Sequence, residues 1–390
     1  MFSHRTGWKL TPNLFTQVQA EVRAAGIEVF DLTVSNPTQA NFPYNQEGIL
    51  SSLVSPEALK YDPQSKGLPS AREAVVEYYR ESHEVFDLDP ESIILTASTS
   101  EAYSYIFRLL CNPDDEVLVP KPSYPLFEFL ADLQDVNLIP YPLIYDHGWQ
   151  IDFASLYKAV SHRTRAVVLV NPNNPTGSYV TSDETSSLNT FCREYDLALV
   201  VDEVFLDYAH DGAPRSTFAL NNQVLTFTMS GLSKIAGLPQ MKVAWLITTG
   251  PEDAKREALA RLEVIADTYL SVSTPLQVAT HRLLDERRSI QPLLLDRTRA
   301  NLAELDQQLL RHSACSRLQV EGGWYAILRV PATQSDEELA VEILQKMAVL
   351  VHPGHFYDFP SDGYLVLSLI TPTHQFREGI RRVFELIEKK

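Results

Sequence analysis

Lys234 lies in a short segment of small and apolar residues, Ser230–Gly237 (SGLSKIAG). A lysine in such surroundings loses part of its affinity for protons, and its neutral amine can attack an aldehyde to form a Schiff base. The competing interpretation is a lysine whose ammonium group reaches solvent, which is the commoner case for any one lysine. The segment therefore becomes informative only together with others.

A second segment, Thr96–Ala102 (TASTSEA), has the composition of an anion-binding loop at the start of a helix. Ser98, Thr99 and Ser100 can present hydroxyl and backbone N–H groups to an anion, and the helix dipole adds a favourable field. The same residues would also serve as an ordinary helix cap.

Asn174 and Asp202 place an amide and a carboxylate after two predicted strands. Asn174 belongs to Asn171–Gly177 (NPNNPTG), in which two prolines and a glycine predict a rigid turn. Asp202 follows the apolar run Ala198–Val201. A carboxylate there costs free energy of desolvation unless a cation or a hydrogen-bond donor meets it.

Together these four segments supply the groups that pyridoxal phosphate requires. Its phosphate needs an anion-binding loop, its phenolic oxygen a donor, its pyridine nitrogen a carboxylate and its aldehyde an amine. We therefore predict a pyridoxal-phosphate site that the four segments form together.

The elements predicted around this site alternate between apolar strands and amphipathic helices. Such strands predict a mostly parallel sheet covered on both faces, which binds ligands at the carboxyl ends of its strands. The predicted strands are Ile93–Thr96, Glu116–Val119, Ala166–Val170, Ala198–Val201, Val224–Thr228 and Val243–Ile247.

Two helix starts carry the pattern of a capping box, which pairs a Ser or Thr with a Glu three residues later. The pairs are Ser70 with Glu73 and Thr181 with Glu184. A long helix is also predicted over Pro251–Ala266.

After about residue 275 the pattern changes to mixed helices and strands. Thr280–Leu310 is predicted to be mostly helical, with an interruption at Pro292. Two strands are predicted at Trp324–Val330 and Tyr364–Ile370, and an amphipathic helix at Gln375–Glu388.

The predicted fold is α/β, with a three-layer, mostly parallel large domain and a smaller α+β domain. We place the large domain at residues 46–275 and the small C-terminal domain at residues 276–390. Residues 1–45 are predicted to form an N-terminal arm that is part of the small domain.

The composition argues against several classes of partner. The chain has 390 residues, with 33 Lys and Arg against 50 Asp and Glu, a formal net charge of −17. Such a chain repels nucleic acid and anionic membranes. No apolar run approaches the roughly 20 residues of a membrane span. Three scattered cysteines and a start without an apolar signal sequence predict a reducing, cytoplasmic location and no metal site.

Over most of its length the sequence resembles the class I/II aminotransferases, the fold-type I enzymes that depend on pyridoxal phosphate. The matching motifs are YDPQSKGLPSAR from Tyr61, PSYPLF from Pro122, NPNNPTG from Asn171, DEVF from Asp202, SGLSKIAGLPQMK from Ser230, GGWY from Gly322 and HPGHF from His352.

The resemblance implies roles for the matching residues. Lys234 would hold the cofactor as a Schiff base and later move the Cα proton, while Asp202 would pair with the pyridine nitrogen. Asn174 would donate to the phenolic oxygen, and Tyr124 would stack on the ring. The residues implied for the phosphate are Ser98, Thr99 and Ser100, assisted by Ser230 or Ser233, with Lys242 in addition.

Tyr61 matches the tyrosine that reaches the phosphate of the neighbouring subunit, which implies a homodimer with shared active sites. Asn36 matches the turn that lines the substrate site, although an Asn-Pro turn explains it equally well.

Three positions depart from the family pattern. Phe205 stands where a tyrosine is usual, and Lys242 stands where an arginine binds the phosphate. Val366 occupies the place of the arginine that holds the substrate α-carboxylate. Either another arginine replaces it or the substrate lacks a free α-carboxylate. The candidate arginines are Arg5, Arg329 and Arg377, of which Arg5 is preferred.

The resemblance thus predicts an aminotransferase acting on an amino acid and a 2-oxo acid through Lys234. The alternative is a lyase or cyclase that uses the same cofactor residues for elimination, cyclisation or decarboxylation, because the fold alone does not fix the reaction. A third hypothesis, the effector domain of a transcription regulator, is disfavoured by the acidic composition.

Overall fold

A computed structural model describes residues 1–125 and 127–389. Within them it contains fourteen strands, numbered along the chain. They are β1 (Phe30–Asp31), β2 (Ile93–Thr96), β3 (Glu116–Lys121), β4 (Asn137–Tyr145), β5 (Trp149–Ile151), β6 (Thr164–Val170), β7 (Ala198–Asp202), β8 (Thr226–Gly231), β9 (Ala244–Thr249), β10 (Ser316–Arg317), β11 (Tyr325–Arg329), β12 (Val349–Leu350), β13 (His352–Pro353) and β14 (Tyr364–Ser368).

The same residues form thirteen α-helices. They are α1 (Leu14–Ala24), α2 (Gln46–Ser52), α3 (Pro69–His83), α4 (Thr99–Leu110), α5 (Phe127–Asp132), α6 (Phe153–Ala159), α7 (Ser182–Glu194), α8 (Leu232–Ile235), α9 (Glu252–Tyr269), α10 (Thr274–Asp285), α11 (Arg287–Leu309), α12 (Asp336–Met347) and α13 (Thr373–Glu388).

Eight strands form one large sheet in the order β2-β9-β8-β7-β6-β3-β4-β5. The neighbours from β8 to β4 pair in parallel, whereas β9 runs antiparallel to both of its neighbours and β5 runs antiparallel to β4. The predicted mostly parallel sheet is therefore confirmed. All six predicted strands are present: Ile93–Thr96 has the predicted bounds, and the other five differ by one to three residues at one or both ends.

Helices cover both faces of this sheet, because consecutive residues of its central strands point to opposite sides and both sides are apolar. On one face Val168 and Val200 pack with Phe107 of α4 and Leu262 of α9. On the other face the strands pack with helices that include α6 and α7. The result is the predicted three-layer arrangement.

A second, antiparallel sheet has the order β10-β11-β14-β13. It packs with α11, α12 and α13, and Phe15 and Val18 of α1 join the same core. Strand β1 pairs in parallel with β12 in a separate two-stranded sheet. These contacts join the N-terminal segment to the C-terminal residues, while the domain bounds at residues 45 and 275 stay a prediction.

Several local predictions differ from the structure. The capping box at Thr181 is confirmed, but Ser70 caps nothing, because Pro69 starts α3 and Leu68 is its N-cap residue. The helical stretch near 280–310 is divided at Glu286, and Pro292 lies inside α11. The edge strand β5 and its neighbour β4 were not predicted. No helix within the described residues is long and apolar enough to cross a membrane.

Candidate active site

A cavity of about 430 Å³ opens where the carboxyl ends of β6 and β7 face the smaller sheet. Ligands of open α/β sheets bind at this edge. Nine of the residues predicted from the sequence line it together. They are Ser98, Thr99, Ser100, Tyr124, Asn174, Asp202, Ser233, Lys234 and Lys242.

Lys234 is positioned by the tight turn from β8 into the short helix α8. Its backbone carbonyl accepts a hydrogen bond of 2.6 Å from the buried Tyr208 hydroxyl, which fixes the turn. Its Nζ lies 5.0 Å from the ring centroid of Trp324 and 5.4 Å from that of Phe205. Burial in these surroundings lowers the pKa of Lys234 to about 8, while the charge of Asp202 opposes the shift.

Asp202 is the last residue of β7. Its Oδ1 accepts a hydrogen bond of 3.1 Å from the Val204 backbone N–H, and its Oδ2 lies 3.4 Å from the Tyr103 hydroxyl. Desolvation raises the pKa of Asp202 to about 6, although these donors and Lys234 oppose the rise. A cation or an N–H donor in the cavity would therefore stabilise the carboxylate of Asp202.

Asn174 lies in the turn after β6, which the structure holds rigidly. Gly177 has a φ of +69°, and a Cβ there would meet the Gly322 carbonyl oxygen, so the turn lies directly against the GGWY motif. Asn174 is 8% exposed, and its Oδ1 has no hydrogen-bond partner among the described residues. A buried amide without a partner at a cavity wall is suited to a polar ligand.

The start of α4 forms one corner of the cavity. Ser98 is the N-cap residue, and its Oγ accepts a hydrogen bond of 3.2 Å from the Glu101 N–H. Thr99 and Ser100 begin the helix, so their N–H groups belong to its first turn. Lys242 lines the same cavity and adds a positive charge. These features fit a phosphate group.

The two serines predicted beside Lys234 differ in position. Ser233 lines the cavity, whereas Ser230 is 1% exposed and lies against the Glu203 carbonyl, 3.4 Å away. Of these two residues, the structure thus brings only Ser233 to the cavity.

The other predicted residues lie outside this cavity. Arg5 pairs with Asp135 at the surface, and Arg377 pairs with Glu304 at 2.9 Å. Tyr61 is 81% exposed. The remaining two are Asn36, whose side chain caps a short 3₁₀ helix, and Arg329, which lies at the exposed end of β11.

Sequence reasoning missed several residues of the cavity wall. Tyr103 reaches Asp202 from the second turn of α4, a position that helical spacing from the anion loop could have indicated. Tyr325 and His352 belong to β11 and β13 of the smaller sheet, and Tyr357 belongs to the short 3₁₀ helix Gly354–Tyr357 between β13 and β14. Tyr325 and His352 lie in the GGWY and HPGHF motifs. These motifs support the family resemblance but assign no role to either residue.

The fold and the site define a pyridoxal-phosphate-dependent transferase of fold type I. An amine with a lowered pKa, a half-buried carboxylate, an amide whose oxygen has no partner and a helix start converge on one cavity, so the residues present fit the cofactor. The chain belongs to the family described as aminotransferase class I and II, whose model matches residues 28–382.

Relatives and solved structures agree with this assignment. The alanine aminotransferase of Mycobacterium tuberculosis is 27% identical over 377 residues, covering 94% of this chain and 87% of that protein. The glutamate-pyruvate aminotransferase of Haemophilus influenzae is 26% identical over 370 residues, covering 92% and 90%. The solved alanine aminotransferase of Pyrococcus furiosus superposes with a TM-score of 0.89 at 23% identity, covering 100% of both chains.

The protein is therefore a pyridoxal-phosphate-dependent aminotransferase with an amino acid and a 2-oxo acid as its substrates. None of these relatives favours the lyase or cyclase alternative.

Proposed function

We propose that the amino acid substrate has an uncharged side chain, of the size of alanine, and that Lys234 is the base that moves its Cα proton. The observation that carries the proposal is the composition of the cavity wall. The lining of the cavity includes the uncharged aromatic groups of Tyr124, Tyr325 and Tyr357. Relatives whose names specify alanine or pyruvate add support.

Pyridoxal phosphate, when bound, supplies an aldehyde and an electron-withdrawing ring that together make the Cα–H of an amino acid acidic. Lys234 acts as a base at that carbon because burial leaves a fraction of its amine neutral near pH 7. Asp202 holds a proton at the ring nitrogen, since a carboxylate in a desolvated position gains most from an N–H donor.

The remaining wall residues bind and orient. The first turn of α4 and the ammonium group of Lys242 would hold the phosphate, and Ser233 lines the same cavity. Asn174 would donate to the phenolic oxygen, and Tyr124 would contact the ring.

We also infer a homodimer in which Tyr61 of one subunit reaches the phosphate bound by the other. Tyr61 is 81% exposed and lies outside the cavity of its own chain, which supports a role across an interface. Native mass measurement tests the dimer. Tyr61→Phe should weaken cofactor affinity while the protein keeps the mass of a dimer. An unchanged affinity would show that Tyr61 does not contact the phosphate.

The test of the reaction is a visible absorption spectrum of the purified protein during titration with amino acids and then with 2-oxo acids. We expect alanine to remove the band of the lysine-linked cofactor and pyruvate to restore it. Lys234→Ala should abolish covalent attachment of the cofactor after borohydride reduction. Lys158→Ala is the matched control, because Lys158 is exposed and outside the cavity. Attachment retained in Lys234→Ala would overturn the assignment.

A further inference from the structure

Among the described residues, no lysine or arginine of the smaller sheet lines the cavity. Among the described lining residues the lysines are Lys234 and Lys242, and no arginine is present. We assign Lys234 to the cofactor linkage and Lys242 to the phosphate, so neither is free for the α-carboxylate of an amino acid. The carboxylate must meet other donors on the wall.

His352 occupies the relevant place in the smaller sheet. It is the residue of β13 directly opposite Val366 of β14. Residues directly opposite in an antiparallel pair share one face of the sheet. The side chain of His352 therefore lies beside the position where the family resemblance expects the carboxylate-binding arginine. Val366 is fully buried and does not line the cavity, whereas His352 does.

His352 and Tyr357 form a hydrogen-bonded pair that can donate a hydrogen bond while both side chains are neutral. Nδ1 of His352 lies 3.0 Å from the Tyr357 hydroxyl. A neutral imidazole carries one N–H and a phenol one O–H, and their mutual hydrogen bond uses one of these two hydrogens. In either tautomer one hydrogen is left, and both residues line the cavity.

We propose that the His352–Tyr357 pair binds the α-carboxylate of the amino acid and of the 2-oxo acid, in place of an arginine. This inference rests on the proposed function, because that function assigns both Lys234 and Lys242 to the cofactor. The neutral pair donates one hydrogen bond to the carboxylate, which is a weaker interaction than a bidentate ion pair with an arginine.

The electrostatic surroundings agree with a neutral pair. Burial lowers the pKa of His352 to about 4, although the charge of Asp31 on β1 opposes the shift. Burial, together with Tyr325 and Tyr124, raises the pKa of Tyr357, so its hydroxyl keeps its proton. At neutral pH the pair therefore holds both of its hydrogens.

The test compares L-alanine with ethylamine, which differ only in the carboxylate. In His352→Phe we expect the KM for alanine to rise about tenfold to a hundredfold, the range for a lost hydrogen bond to a charged group. The kcat/KM for ethylamine should fall far less than that for alanine. Tyr357→Phe removes only the hydroxyl and should act in the same direction. His352→Gln restores an N–H donor and should recover part of the affinity for alanine.

Two results would overturn the proposal. Parallel losses with alanine and ethylamine would mean that His352 only supports the fold. An unchanged KM for alanine in both His352→Phe and Tyr357→Phe, with an increase in Arg5→Ala, would assign the carboxylate to Arg5.

A second readout separates this inference from the proposed reaction. Propionate carries a carboxylate and no amine, so it binds without turnover. Its addition to the holoenzyme should displace one histidine imidazole resonance, which is absent in His352→Gln. No displacement of that resonance would refute the carboxylate contact even if transamination is observed. Displacement without transamination would retain the contact and refute the proposed substrate.

Discussion

The acidity of Lys234 offers the sharpest test of how the cavity is built. Its pKa of about 8, against an ordinary 10.5, means that about one tenth of the amine is neutral at pH 7. An ordinary lysine would be neutral about 300-fold less often, because each unit of pKa is a factor of ten. Lys234 should therefore react with aldehydes far faster than the exposed lysines.

Asp202 sets the direction of the perturbation. Its negative charge stabilises the ammonium form of Lys234 and opposes the effect of burial. Asp202→Asn removes that charge and nearly preserves the shape. We therefore expect the pKa of Lys234 to fall below about 8 in the variant, and the neutral fraction at pH 7 to increase.

The assay is reductive labelling of the cofactor-free protein with an aldehyde and borohydride, from about pH 6 to about pH 10. Peptide mapping reports Lys234 and the exposed control Lys158 in the same sample. The labelling rate at Lys234 should rise with a midpoint near 8 in the wild type and at a lower pH in Asp202→Asn. A midpoint near that of Lys158, or an upward shift in Asp202→Asn, would refute the reasoning.

Three further outcomes are expected. Lys242→Arg should tighten cofactor affinity about threefold to tenfold, because a guanidinium binds phosphate bidentately, and an unchanged dissociation constant would contradict this. Tyr103→Phe should raise the pKa of Asp202 further by removing a donor, seen as a shifted pH dependence of cofactor affinity. Thr181→Ala should lower the free energy of unfolding in urea by about 1 kcal/mol, whereas Ser70→Ala, which removes no cap, should not.

The half of the site that faces the large sheet could be predicted because its residues follow strands directly. Asp202 comes immediately after one apolar run and Asn174 lies in the turn after another, and parallel strands bring such ends to one edge. Ser98 precedes a helix in the pattern of a cap. The local sequence is therefore enough to predict both the strand or helix and the site residue at its end.

The other half could not be predicted, because it depends on pairing between distant segments. Strand β13 has only two residues, which gives no periodicity to detect, and only its pairing with β14 places His352 beside Val366. Similarly, β4 lies next to the edge of its sheet, and its buried and exposed positions do not alternate regularly. At Pro292, the packing of Ile290 and Leu294 in the core outweighs the helix-breaking tendency of proline.

The pairing of β1 with β12 has a consequence for how the polypeptide is made. Phe30 and Asp31 leave the ribosome long before Val349 and Leu350, with which they pair. Contacts between segments so far apart form slowly, because a long loop must close before they can stabilise the chain. Until then the apolar face of α1, with Phe15, Val18 and Val22, has no partner to cover it. The nascent chain therefore exposes an aggregation-prone helix face during most of its synthesis, and burial of that face is among the last steps of folding.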